Sequence, residues 1–207
     1  MILYSSPLAV TAPLVMAWYK YAFAPPAFRI LAYHLSFVAL TSALSAILWL
    51  MDENNLPLMH IYTIIEFAFI VFYFSRLFGG RISKTVWAGV AVFSVFAVIH
   101  ATFRQGWNLF NTLPRSMESL VVIILCITCY VRMLSEPKSE NLARDPVFWL
   151  NTGWIYYFSG ALFLFTMSNY ILPLHHTLNI WVWTLHALFS DMLYLFIFIG
   201  LWQIRRT

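Results

Sequence analysis

Residues 57–78 read PLMHIYTIIEFAFIVFYFSRLF, a run of 22 residues apolar enough to cross a bilayer yet carrying Glu66 well inside it. About 20 predominantly apolar residues suffice for a transmembrane helix. A carboxyl group in hydrocarbon is costly, so an acid at this position is read as paired, protonated or functional. At helical spacing Tyr62, Glu66, Phe69 and Tyr73 fall on one face. That face has to look into protein or water, because lipid cannot satisfy it.

The rest of the chain agrees with this setting. It is 62% hydrophobic and 10% charged over 207 residues, with a mean hydropathy of +0.78, whereas soluble domains carry about 25% charged residues. The expected class is therefore an all-α polytopic membrane protein. The first apolar run, MILYSSPLAVTAPLVMAWYKY, has no basic residue before Lys20, so it reads as a retained span with its N-terminus outside and not as a cleaved signal peptide. The net charge of +4 does not point to nucleic acid, since the basic residues sit at span ends, where positive-inside sorting places them. Cys126 and Cys129 form a C-x-x-C spacing inside VVIILCITCYV, but redox chemistry needs an accessible thiolate, so they read as small packing residues.

Seven spans are predicted, at about residues 2–23, 28–51, 57–78, 85–103, 115–134, 147–172 and 180–203. Pro7 and Pro13 should kink the first, and could make it re-entrant. His34, Val38, Thr41 and Ser45 make a stripe on the second that suits close helix contact. Asn54 or Asn55 can cap the third, with Pro57 in its first turn. The fourth has little polar character beyond Ser94 and His100 and belongs against lipid. Asp145 and Pro146 read as the N-cap and first residue of the sixth, which Pro173 ends. Its Thr152, Tyr156, Ser159, Phe163, Thr166 and Tyr170 make a polar-aromatic face. Lys20, Arg29, Arg76, Arg81, Lys84, Arg132, Lys138, Arg144, Arg205 and Arg206 collect on one side, against Arg104 and Arg115 on the other. Ten against two favours an outside N-terminus, a cytoplasmic C-terminus and an odd number of spans.

This topology brings polar residues to one outward-facing pocket between spans 2, 3, 5, 6 and 7. Its expected ligand-binding members are Glu66, Tyr62, Tyr73, Glu118, Tyr156, His186, Asp191 and Arg115, with Arg115 and Arg104 hanging over it from the loop. Each has a bland alternative. Glu66 can be a structural acid bonded by Tyr62, Glu118 a carboxylate favoured by its helix start, and His34 and His100 packing residues. His175 and His176 read as solvated loop residues.

Three functions compete. A receptor or sensor would bind a small ligand, lipid or ion in the pocket and signal to a partner protein. A proton- or ion-coupled transporter would use Glu66 and Asp191 as its titrating pair, although such proteins commonly show inverted repeats and broken helices. An intramembrane metal hydrolase would need His60, Glu66 and His186 to meet without local spacing support, since neither H-x-x-x-H nor H-E-x-x-H occurs. Covalent retinal is disfavoured because Lys20, Lys84 and Lys138 all lie at span ends, and the residues leave any other cofactor open.

The phrases SPLAVTAPLVMAWYKY, NNLPLMHIYTIIEF, FNTLPRSMESL and FWLNTGWIYYFSGALFLF resemble a family of small, largely uncharacterised bacterial seven-span membrane proteins. Some of these are similar to the membrane input regions of sensor histidine kinases. The resemblance implies a seven-helix fold and a sensing role, and carries over no site residues.

Overall fold

The computed structural model describes residues 6–136, 141–171 and 176–204, all helix or connecting loop. Lys138, Leu172, Pro173, His175, Arg205 and Arg206 lie outside the described residues.

The predicted spans correspond to seven helices. The first, α1, is a turn at Ser6–Ala9 followed after Val10 by Thr11–Lys20. Then come α2 (Pro26–Leu50), α3 (Leu56–Leu77), α4 (Lys84–His100), α5 (Thr112–Ser135), α6 (Pro146–Ile171) and α7 (His176–Gln203). Five segments are long and apolar enough to cross a membrane: α2, α3, α4 with its extension to Gln105, α5, and residues 179–203 of α7. The chain is thus a multi-pass membrane protein. Large apolar side chains such as Leu40, Val92, Ile124 and Phe163 face outward, as a lipid environment permits. Of the five, α4 is the least buried, as its composition predicts.

Local chemistry sets the helix ends. Asn54 Oδ1 accepts from the Leu56 amide at 3.0 Å, while Asn55 turns its amide to Ser45 Oγ at 2.6 Å. At the far end of α3 the Gly80 amide reaches Ser75 O and the Gly79 amide reaches Arg76 O, a Schellman closure. Gly79 has φ +78°, a conformation only glycine adopts cheaply. Ser83 caps α4 through the Val86 amide, and Asp145 caps α6 through the Val147 amide at 2.8 Å. The first expected span, residues 2–23, is not among the five: Pro13 lies within α1, and the break at Val10 leaves a ten-residue helix, about 15 Å long at 1.5 Å per residue, against a hydrocarbon core of about 30 Å.

Successive helices run antiparallel. At one end Lys20 Nζ donates to Ile204 O at 2.6 Å and Arg132 Nη1 to Phe78 O at 3.3 Å. At the other end Asn54 meets Asn108, and His60 meets Leu109 O at 3.0 Å. The densest packing joins α6 to both α5 and α7, around Leu150, Trp154, Phe158 and Ile197. Gly200 makes the α6–α7 approach possible, since a Cβ there would lie 2.9 Å from Pro146 O.

One feature departs from a simple bundle. After His100, α4 widens into a π-helix at Ala101–Gln105, stops at Gly106 with φ +89°, and gives way to a loop that dips inward. Phe110 and Asn111 are buried, and Asn111 Nδ2 donates to Thr63 Oγ1 at 2.6 Å. Thr63 is seven residues past the start of α3, so this loop reaches about 10 Å below that start. Irregular backbone at such depth has to be bonded by protein. Asn169 supplies this, accepting from the Phe110 amide at 3.2 Å and donating to Phe110 O at 2.9 Å.

Candidate functional site

Because the loop dips, α5 begins inside the protein, and the residue expected to hang outside turns inward. Arg115 is 6% exposed, lying between Glu66 at 4% and Glu118 at 0%. Its Nη1 donates to Glu66 Oε2 across the α3–α5 boundary and to Glu118 Oε2 at 2.6 Å, one turn along its own helix. Its Nη2 donates to Tyr157 Oη on α6 at 3.3 Å, and that hydroxyl is 3.1 Å from His186 Nε2 on α7. The guanidinium lies 5.2 Å from the Tyr62 ring centroid and 4.8 Å from that of Phe165, within cation–π range of both.

Glu66 is held from the other side as well. Tyr62, one turn earlier on α3, donates its hydroxyl to Glu66 Oε1 at 2.7 Å, and His34 Nε2 on α2 lies 3.9 Å from the same oxygen. His34 stacks on Phe69 and Phe37 stacks on Tyr62, so the ring orientations are fixed by packing. The cluster therefore ties α2, α3, α5, α6 and α7 together at one level.

Its charge inventory is uneven: one guanidinium faces two carboxyl groups. Glu118 Oε1 has no hydrogen-bond partner among the described residues. Buried carboxylates are tolerated when paired, and a single cation can pair fully with only one of these two. Neutralising either acid would leave Arg115 matched in charge by the other.

The sequence-predicted residues divide. Glu66, Tyr62, Glu118, Arg115 and His186 are brought together. Glu118 is a full member of the cluster and not merely a helix-start acid, because its i, i+3 spacing from Arg115 turns it inward. Tyr73, two turns further along α3, packs instead against Phe28 and Trp154, with ring centroids 6.0 Å and 4.6 Å away. Tyr156 is 42% exposed and packs on Phe189; of the expected polar-aromatic face of α6, Phe163 and Tyr170 also point outward, while Thr152 and Thr166 bond Tyr130 and Ser116 on α5. The inward face is Asn151, Trp154, Tyr157, Phe158, Ala161, Phe165 and Ser168. Asp191 is half-buried on α7 beside Tyr194, and the bonds that define the cluster run through Tyr157 and His186.

The proposed metal candidates do not converge. His60 bonds Leu109 O and lies against Trp107, whereas His186 faces Tyr157. Among the described residues no three His, Cys, Asp or Glu side chains are arranged to hold a metal. The side chains around Glu66 are closed over by aromatic rings, and the two cavities that stand out lie elsewhere, beside α1 and at the far ends of α3 and α5. Cys126 and Cys129 are buried free thiols, with Asn151 Nδ2 donating to Cys126 O at 3.0 Å.

Sequence reasoning missed Tyr157 and undervalued His34. For Tyr157 the signal was present: Asn151, Trp154, Tyr157, Ala161 and Phe165 recur at helical spacing, on the face of α6 opposite to the one chosen.

Comparison with family models, curated proteins and solved structures finds no match for this chain. The functional reading rests on the residues themselves.

Proposed function

We propose that the protein is a receptor-like, non-catalytic membrane module in which the Arg115 cluster is the switching element. In this reading it is a bacterial inner-membrane protein with seven spanning helices, N-terminus outside and C-terminus in the cytoplasm. The observation that carries the proposal is the sharing of one buried cation by two acids on different helices. An incoming proton, ion or small ligand that neutralises either carboxyl biases Arg115 toward the other, and so biases α3 against α5. Two supports accompany it. The inward loop at residues 106–111 lies over the cluster on the side with few cations, which gives a stimulus from that side a short route. Lys20, Arg29, Arg76, Arg81, Lys84, Arg132 and Arg144 gather at the opposite end, the composition of a cytoplasmic face, and there a partner protein would read the change.

The second reading, a proton- or ion-coupled transporter, is favoured by the same uneven charge, because an acid in excess of its cation is a site for a transported proton. Reconstitution separates the two. The receptor reading expects no proton-coupled flux in liposomes, together with altered hydrogen exchange at the far ends of α3 and α5 when Glu118→Gln replaces the parent. Flux that Glu66→Gln abolishes would establish the transporter, and unchanged exchange would remove the switch.

A further inference from the structure

A second feature stands independently of the ion-pair cluster, at the basic end of the bundle. There the closing turn of α3, the last turns of α5 and the start of α6 enclose a cavity of about 290 Å³. Its apolar walls include Leu77, Met133 and Val147, and three charged residues line it as well: Arg132, Glu136 and Asp145. The cavity is therefore amphiphilic, and it lies at the level where two apolar candidate spans, α3 and α5, come to an end. At that level in a bilayer the adjacent chemistry is the lipid headgroup region.

The three charges have distinct situations. Arg132 is anchored, with Nη1 donating to Phe78 O and its guanidinium 4.4 Å from the Phe78 ring centroid. A guanidinium has five N–H donors, so most of its capacity remains. Asp145 is committed to α6, where Oδ1 accepts the Val147 amide and its charge complements the helix N-terminus. Glu136 closes α5. Among the described residues none of the three is in an ion pair, even though Arg132 and Glu136 are four apart. With Asp145 matched to its helix, one cation and one anion among the described residues face the same apolar-walled space.

We infer that this cavity binds a zwitterion with an anionic phosphate and a primary ammonium group, in the form of an aminophospholipid headgroup. The phosphate pairs with Arg132, the ammonium donates to Glu136, and the acyl chain lies along Leu77, Met133 and Val147. A guanidinium is well suited to phosphate, and a carboxylate needs an N–H donor opposite it. Phosphatidylcholine satisfies only the first requirement, because its quaternary nitrogen has no N–H, and phosphatidylglycerol has no cation at all.

The test is native mass spectrometry of the full-length protein in detergent with phosphatidylethanolamine, phosphatidylcholine and phosphatidylglycerol of identical acyl chains. The expected result is preferential retention of the ethanolamine lipid by about tenfold, the scale of one charge-assisted hydrogen bond. Glu136→Gln should reduce this to the level of the choline lipid, and Arg132→Gln should weaken both. Equal retention of the three lipids by the parent protein, or a preference that survives both substitutions, overturns the proposal. Displacement of the lipid by an equal concentration of free phosphoethanolamine overturns the lipid source, placing a soluble ligand in its stead. Glu136 is exposed at a helix end, so its variant folds even if Arg132→Gln does not.

Discussion

A double-mutant cycle on Glu66 and Glu118 reads the sharing of Arg115 directly. Glu66→Gln leaves Arg115 facing Glu118, and Glu118→Gln leaves it facing Glu66, so each single variant is charge-balanced. In both, the glutamine carbonyl can still accept from Arg115, and only in Glu66→Gln is a second bond given up, the one from Tyr62. Each single change should cost about 1 kcal/mol or less, the net worth of a substituted hydrogen bond. The double variant leaves a guanidinium that is 6% exposed with no anion in contact. Uncompensated buried charge of this kind costs about 3–5 kcal/mol. The cycle should therefore show a coupling of at least about 1–3 kcal/mol, beyond ordinary additivity. Reversible unfolding in mixed micelles, followed by far-ultraviolet circular dichroism, provides the measurement. Additivity within about 0.5 kcal/mol would refute the shared-cation description. So would a Glu66→Gln variant as unstable as the double.

Three further outcomes are expected. Tyr157→Phe removes the hydroxyl between Arg115 and His186 and should cost about 1 kcal/mol in the same assay, whereas Tyr156→Phe, on the outward face, should stay within about 0.5 kcal/mol. Gly200→Ala forces a Cβ against Pro146 O and should destabilise by about 1–3 kcal/mol, whereas Gly89→Ala, with nothing within 4 Å, should be neutral or stabilising by up to about 1 kcal/mol. For the proposed orientation, Arg104→Cys should react with an impermeant maleimide from outside intact cells and Arg81→Cys only in inverted vesicles; labelling of both from one side would remove the antiparallel arrangement of α4.

The class of protein and the helix positions were legible in the chain because they depend on local quantities. Apolar run length decides whether a segment suits a bilayer, and caps such as Asp145 and Ser83 act within a few residues. Glu66 with Tyr62 was legible for the same reason, since i, i+4 spacing on one helix fixes their meeting. The partner of Glu66 was not. Arg115 follows an aromatic, amide-rich loop that reads as exterior, and its cation counts formally among the outer charges.

What the sequence by itself determined is therefore a helical membrane protein with a submerged acid that has to be answered. Only the tertiary structure decided who answers it. Asn111 on Thr63 and Asn169 on Phe110 draw the loop down, start α5 inside the bundle and deliver Arg115 to two carboxyls at once. Tyr157 displaced Tyr156 for a related reason: one residue turns a helix by about 100°, and only the packing of α6 between α5 and α7 selects which face turns inward.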